Sequence, residues 1–347
     1  MGLAYTDDQL SLLEAFGDFF AKESTVERVR AAEPLGFDER LWHQLVQMGA
    51  PTMGVPETAG GGGATLLDMV LVAEQLGRHL APVPLLETMV AARLLARAGP
   101  DAGTGLVVDA ITDGSVIATV APRPVHDGVS RLVPAGAVAD VVVVVAGDDL
   151  IALRREGARP YSDPPRNLAS APISDVRLDD TWADRTTLAE GERAASLHRQ
   201  ALMEAKLLMA SALIGIAAAA HTAGVEYVKV RKAFGVPIGW FQTIAHRLAD
   251  AGTDIEGGRL LVDEAAWALD DGRSDGEALA GMAYLFAAER SFKAASESLH
   301  FHGGYGYTLE YDIQLYFRRA KAWPLALGRP AETYQQVADL LFQPGAD

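Results

Sequence analysis

The chain has 347 residues, of which 49% are hydrophobic, and this length is enough for two or three domains with full cores. Its net charge of −16 argues against a nucleic-acid partner, because phosphate binding needs clustered lysine and arginine. The lack of cysteine excludes disulfides, thiol catalysis and iron–sulfur clusters, and it is typical of a reducing cytoplasm. The sequence shows no signal-peptide pattern, and the longest apolar stretch, residues 207–220, is too short to predict a membrane span. We therefore expect a cytoplasmic globular protein with no membrane partner.

The first third of the chain, residues 1–103, carries apolar side chains at helical spacing and predicts an all-helical domain. Thr6 is the expected N-cap of the first helix. The glycines at positions 60–63 predict a loop, and they lack the Lys-Ser/Thr of a phosphate loop. The predicted helices cover residues 6–33, 39–48, 66–79 and 86–98.

The middle of the chain, residues 104–185, contains short β-branched runs separated by Gly, Asp and Pro. This pattern predicts a small antiparallel β domain. The run from Val141 to Val145 is continuously apolar, so we expect that strand to be buried on both faces. The predicted strands cover residues 116–120, 130–133, 139–145, 150–154 and 174–178.

The last part, residues 186–347, contains long segments with few helix breakers, which predict a four-helix bundle. Alanine and glycine dominate residues 210–220 and would let neighbouring helices approach closely. The predicted bundle helices cover residues 192–230, 241–271, 275–300 and 330–342. The fold class is therefore mainly α with a small β domain.

Two segments of the bundle stand out, Arg231-Lys-Ala-Phe-Gly-Val-Pro-Ile-Gly-Trp-Phe-Gln242 and His300-Phe-His-Gly-Gly-Tyr-Gly-Tyr307. Each places a polar anchor beside a turn that glycine permits. A guanidinium can fork onto phosphate oxygens, and glycines let backbone N–H groups approach an anion closely. The plainer interpretation of the first segment is an interhelical turn punctuated by Pro237 and Gly239.

In order and spacing, the two segments resemble the acyl-CoA dehydrogenase family, in which they contact FAD. The resemblance extends over essentially the whole chain and implies a helical–β–helical architecture. His300 stands where the family usually has Gln. The resemblance implies these cofactor-contact residues: Arg231, Phe234, Gln242, His300, Gly303 and Gly304.

The resemblance also implies that FAD lies across a dimer interface, so that these residues contact a flavin held mainly by the neighbouring subunit. The family's flavin-ring contacts come from the middle domain, through a T-E-P-x-x-G-S-D-like stretch and a later W-x-T/S. The corresponding residues 117–128 lack the Glu and the Gly-Ser-Asp, and Trp182 falls at the end of the domain. The chain thus resembles a subunit that keeps the half-site offered to a partner and has lost much of its own.

The family's reaction removes an α-proton from an acyl-CoA thioester with a carboxylate, while hydride passes from the β-carbon to flavin. That carboxylate occurs at one of two positions, which here hold Ala205 and Leu327. Glu204 is adjacent to the first but is rotated by about 100° on the helix, so we expect a solvated or salt-bridged residue. Glu332 is expected in the first turn of a helix after Pro330.

Other residues allow more than one interpretation. Residues 307–316 resemble a pattern of actinobacterial members that act on bulky sterol-derived CoA esters, but Thr308 can equally cap a helix over residues 310–321. Arg318, Arg319 and Lys321 are either a cationic last turn or a contact for CoA phosphate. His300 and His302 have no third ligand at a supporting spacing, so we expect no metal site.

Three hypotheses follow from the sequence. The first is a subunit that lacks the base and completes the FAD site of a homologous partner, as in the α2β2 complexes of actinobacterial family members. The second is a self-sufficient homo-oligomeric dehydrogenase with Glu204 as a displaced base. The third is a non-catalytic scaffold or acyl-CoA-binding subunit.

Overall fold

A computed structural model of the chain describes residues 4–33, 35–99, 104–155, 166–179 and 182–342. It confirms a mainly helical fold with a small β region in the middle. The N-terminal helices are α1 (Asp7–Glu23), α2 (Val26–Ala32), α3 (Glu39–Gln47), α4 (Leu66–Arg78), α5 (Leu85–Ala98) and α6 (Thr104–Thr112).

The start of α1 confirms Thr6 as the N-cap, since its hydroxyl accepts a hydrogen bond of 3.2 Å from the backbone N–H of Gln9. The single helix predicted over residues 6–33 is wrong, because α1 ends at Glu23 and α2 begins at Val26. Ser24 is buried between them, and its hydroxyl donates to the carbonyl of His79 at 3.0 Å. A tertiary hydrogen bond therefore fixes a break that periodicity does not reveal.

The middle of the chain differs from the prediction at its start and in its strand directions. Residues 104–112 form α6, which packs against α5, and the first strand begins only at Ala118. The main sheet is mixed and not wholly antiparallel, because β1 runs parallel to β3. The strands are β1 (Ala118–Val120), β2 (Val129–Val133), β3 (Val141–Ala146), β4 (Asp149–Arg154), β5 (Ser174–Arg177) and β6 (Asp184–Glu190).

The main sheet has the order β1-β3-β4-β6, and β2 pairs with β5 in a separate ribbon. Val141, Val142, Val143 and Val144 in β3 are all buried, as their continuous apolar run predicts. Strand β6 continues the sheet to Glu190 and leads directly into the bundle. The middle region and the bundle are therefore joined without a linker.

The bundle is built on α7 (Gly191–Val230), which packs against α4, α8 (Gln242–Asp270) and α9 (Gly276–Phe301). A Cβ added at Gly215 would lie 2.0 Å from the carbonyl oxygen of Glu74, which confirms the predicted close approach of helices. Two shorter helices, α10 (Ile313–Ala322) and α11 (Pro330–Phe342), pack against α9.

Helix α7 is long and apolar enough, by length and composition alone, to cross a membrane, which the shorter stretch 207–220 did not suggest. However, 83% of its apolar window is buried inside the protein. Its hydrophobicity is therefore that of a helix surrounded by other helices.

Candidate functional site

The two glycine-containing segments lie at the same end of the bundle. Tyr227, in the last turn of α7, stacks on His302 at the end of α9, with ring centroids 4.0 Å apart and an interplanar angle of 25°. The turn after α7 and the loop after α9 therefore begin close to each other in space. His302 is buried, and its Nδ1 lies 2.7 Å from the carbonyl oxygen of Ser298, so this histidine serves the packing of the segment.

The turn after α7 is a two-residue hairpin between the short strands β7 (Lys232–Ala233) and β8 (Val236–Pro237). Phe234 and Gly235 occupy its tip with φ values of 54° and 86°. Two successive left-handed residues are the signature of a type I′ turn, which glycine adopts freely and phenylalanine only with strain. The Phe234 ring is 95% exposed and meets Phe241 edge-on at 6.2 Å. A strained, exposed aromatic residue indicates a contact outside the chain.

Arg231 ends α7 at the base of this hairpin and is exposed. Within the described residues, its guanidinium has no hydrogen-bond or ion-pair partner. Gln242, which is also exposed, opens α8, where the first backbone N–H groups lack helical acceptors. The arginine and the helix start are therefore free to receive an anion.

The loop after α9 exposes its backbone, because two of its residues are glycines without side chains. Gly303 has a φ of 63°, and a Cβ at Gly303 or Gly304 would meet no protein atom within 4 Å. Both glycines and His300 are exposed. In the described parts of the chain, no group of three histidine or acidic side chains is arranged to hold a metal ion. The loop thus suits an approaching ligand or a second protein surface.

Several aromatic residues within these segments are also exposed, and of these only Tyr307 belongs to a pattern noted in the sequence, that of residues 307–316. Trp240 is 74% exposed, and Tyr305 and Tyr307 are exposed as well. Exposure of a large apolar side chain depends on tertiary packing, so no local pattern could have identified it.

A small cavity is lined by residues that are close in sequence to the two positions of the family base. Met209, one turn beyond Ala205 on α7, and Ala326, next to Leu327, both line a cavity of about 60 Å³. Middle-region residues, including Pro134, close its opposite side. Sites that hold small-molecule ligands usually enclose about 300 Å³ or more, so this space is too small for an acyl group.

Glu204 does not line this cavity. It is 2% exposed, and its carboxylate accepts two hydrogen bonds of 3.1 Å from Arg93 and a further one from Arg97. The salt-bridged interpretation is confirmed, although the residue is buried and not solvated. A carboxylate that is hydrogen-bonded to two guanidinium groups is unsuited to act as the base that accepts a proton from a substrate.

The carboxyl group that does line the cavity is Glu87, which the sequence analysis missed. It lies in the first turn of α5, and burial raises its pKa to about 7. Only its proximity to residues more than a hundred positions away makes it notable, since its sequence context is that of an ordinary helix start.

The cationic residues near the end of α10 contact other residues of the same chain. Arg318 binds Glu33 and donates to the Ser170 hydroxyl at 3.2 Å. Arg319 is 1% exposed, and burial lowers its pKa to about 10. These two side chains are therefore not free to contact CoA phosphate. Lys321 lies 4.6 Å from the Phe292 ring centre in the last turn of α10.

The helix predicted over residues 310–321 begins only at Ile313, so the prediction that Thr308 caps it is wrong. The Thr308 hydroxyl donates instead to the carbonyl of Tyr305 at 3.0 Å, because the segment before α10 coils into a turn. Glu332 lies in the first turn of α11, as predicted, and binds the Arg329 side chain at 2.8 Å.

The middle region contacts the bundle directly through two sets of side-chain hydrogen bonds. Arg123 donates to the carbonyls of Ala326 and Leu325 at 3.2 and 3.3 Å. The Trp323 indole donates to the carbonyl of Ala169 at 3.1 Å. Trp182 is buried elsewhere, with its indole 2.7 Å from the carbonyl of Arg177.

Comparison with known proteins agrees with this architecture. Residues 6–114 match the model of the acyl-CoA dehydrogenase N-terminal domain, and residues 195–339 match that of the C-terminal domain. The chain belongs to the acyl-CoA dehydrogenase family. The resemblance drawn from the Arg231 and Gly303 segments is therefore confirmed at the level of the family, which is one of oxidoreductases.

Relatives within the family align along nearly the whole chain. The acyl-CoA dehydrogenase IpdE2 of Mycobacterium tuberculosis is 34% identical over 346 residues, which cover 97% of this chain and 98% of the relative. IpdE2 of Mycolicibacterium smegmatis is 32% identical over 342 residues, covering 97% and 100%.

Two solved structures resemble the chain over nearly its whole length. The ChsE4-ChsE5 complex from Mycobacterium tuberculosis matches with a TM-score of 0.86 at 25% identity, over 99% of this chain and 100% of that chain. The Tcur3481-Tcur3483 steroid ACAD variant matches with a TM-score of 0.83 at 28% identity, over 96% and 98%.

Proposed function

We propose that this chain is the subunit of a heteromeric FAD-dependent acyl-CoA dehydrogenase that completes the FAD site of a homologous partner and supplies no catalytic base. The observation that carries the proposal is an open half-site in a chain whose two base positions hold no carboxylate. At one end of the bundle, the Arg231 guanidinium has no partner among the described residues, and a Cβ at Gly303 would meet no protein atom. The cavity beside Ala205 and Leu327 holds only about 60 Å³ and has no carboxylate at either base position.

The residues at the open end fit part of a flavin dinucleotide. The Arg231 guanidinium would bind the pyrophosphate, and the Gly303-Gly304 backbone would lie against the cofactor without a Cβ in between. Phe234 and Gln242 would contact it from the hairpin and the start of α8. FAD, when bound, accepts the hydride that leaves the β-carbon of the acyl thioester.

The residues around the closed cavity do not fit a flavin ring. Arg123 and Trp323 join the middle region to the bundle at residues that line or adjoin this cavity, and each bond is made to a backbone carbonyl. A partner subunit would therefore have to provide the ring contacts and the base. In the assembly we expect one flavin for two chains, as in an α2β2 tetramer.

The substrate class and compartment follow from similarity and composition. Solved structures that resemble the chain include a steroid ACAD variant, which supports a bulky steroid-derived acyl-CoA ester as substrate of the complex. The lack of cysteine supports a cytoplasmic location.

Flavin content tests the proposal directly. The chain purified alone should be colourless, and the complex with a homologous subunit should contain half a flavin per chain, measured by visible absorption after denaturation. One FAD per chain in the protein purified alone would contradict the proposal.

A matched pair of variants locates the half-site within the complex. Arg231→Ala should lower the flavin content, whereas Arg40→Ala, which removes an exposed arginine of α3, should leave it unchanged. If Arg231→Ala has no effect on flavin in any assembly, the chain is a scaffold or acyl-CoA-binding subunit. The homo-oligomeric alternative requires Glu204 to act as the base, which its two arginine partners oppose.

A further inference from the structure

The backbone around Arg123 is fixed by three hydrogen bonds. The N–H groups of Ala121 and Val125 donate to the carbonyls of Val143 and Val145 in β3, at 2.8 and 2.7 Å. The buried Ser130 hydroxyl donates to the carbonyl of Arg123 at 2.7 Å. The backbone of the loop from which the Arg123 side chain extends is therefore fixed against β3 and β2.

The target of this side chain is a short 3₁₀ turn, Pro324–Leu327, which follows α10. The carbonyls at the end of such a turn carry partial negative charge, and the Leu325 carbonyl also accepts from the N–H of Gly328 at 3.4 Å. Arg123 is half-buried and donates from separate nitrogens to Leu325 and Ala326. The planar fork of an arginine reaches both carbonyls at once, which the single ammonium of a lysine does less well.

A second pair of contacts joins the same two regions at residues that line the cavity. Trp323 donates to the carbonyl of Ala169, and Arg318 donates to the hydroxyl of Ser170. Both middle-region residues line the cavity, as do Trp323 and Ala326. The wall of the cavity thus includes residues that take part in both sets of side-chain hydrogen bonds.

A cofactor that binds only the folded state increases the free energy of unfolding. A chain that binds no cofactor must hold its domains together by contacts between its own residues. We propose that Arg123 is a positioning residue that fixes the Pro324–Leu327 turn against the middle region and so closes the cleft between them, in which this cavity lies. The inference rests on the proposed function, because it takes the cleft to hold no flavin in this chain.

Amide hydrogen exchange of the isolated chain tests this role. The N–H groups of Ala326 and Gly328 are bonded to Trp323 and Leu325 within the turn. In Arg123→Ala, these amides should exchange at least about tenfold faster, because hydrogen bonds to a charged group stabilise the turn that they hold. Amides in the middle of α7 should keep their wild-type rates.

Two further variants make the result specific. Arg131→Ala removes an exposed arginine from β2 in the same region and should leave the turn unchanged. Arg123→Lys should restore part of the protection. Unchanged exchange in Arg123→Ala would overturn the inference, and so would an equal increase throughout the bundle, which would indicate only general destabilisation. The experiment uses neither flavin nor a partner, so its outcome is separate from the flavin content that tests the proposed function.

Discussion

Tyr227 and His302 stack face to face with ring centroids 4.0 Å apart, and this contact joins the end of α7 to the end of α9. The hairpin that bears Arg231 begins four residues after Tyr227, and Gly303 follows His302 directly. Arg231 and Gly303, which are 72 positions apart in sequence, are therefore positioned by one aromatic pair.

The first prediction concerns this pair. Tyr227→Ala should lower the flavin content of the complex by separating the Arg231 hairpin from the Gly303 loop, and it should remove about 0.5–1.5 kcal/mol of stacking. Flavin titration of the complex, followed by fluorescence, measures the effect. Tyr334→Ala is the control, because that side chain is 56% exposed on α11. Equal flavin affinity in the two variants would show that the stack does not position the site.

The second prediction concerns Glu204. Glu204→Gln leaves Arg93 and Arg97 without a carboxylate, and breaking a buried ion pair typically costs about 3–5 kcal/mol. Urea denaturation should reveal the loss, while turnover per folded complex should stay at the wild-type value. Glu226→Gln, which alters an exposed pair with Lys229, should change stability little. A loss of turnover with stability retained would identify Glu204 as a base after all.

These residues also show how far the sequence could lead. The Arg231 and Gly303 segments were predictable, because a turn and its glycines depend on neighbouring residues. The partners of Glu204 lie 107 and 111 positions away on α5, and the carbonyls bound by Arg123 lie 202 and 203 positions away. Contacts at such separations arise only from tertiary packing, so neither the role of Arg123 nor the closure of the cavity had a local signal.

The third prediction is a pH dependence of stability due to Glu87. Its folded-state pKa is raised by burial to about 7 from 4.5, so the folded protein binds this proton more tightly than the unfolded chain. The stabilising contribution is present below pH 4.5 and is lost as the pH rises through 7. The unfolding free energy should therefore decrease over this range by about 3 kcal/mol relative to Glu87→Gln. Parallel curves for the two proteins between pH 5 and about 8 would contradict it.

The fourth prediction separates stability from assembly at Phe234. Its left-handed backbone conformation costs about 1 kcal/mol or more in a phenylalanine, and asparagine tolerates that conformation better. Because the ring is 95% exposed, its removal loses little packing within the chain. Phe234→Asn should therefore leave the isolated chain equally stable or stabilise it by about 0.5–1 kcal/mol.

The same substitution should weaken the complex, since an exposed aromatic side chain held in a strained turn contributes most when a second surface or a cofactor covers it. Sedimentation of the wild type and Phe234→Asn, each mixed with the homologous subunit, would measure the association. Asn167→Ala, which alters an amide bonded to Ala171 in the middle region, is a control that leaves the end of the bundle untouched. A variant that is more stable alone and associates less with its partner would mean that the strain at Phe234 serves contacts outside this chain. Unchanged association and flavin content would mean that the hairpin tip contributes nothing to the shared site.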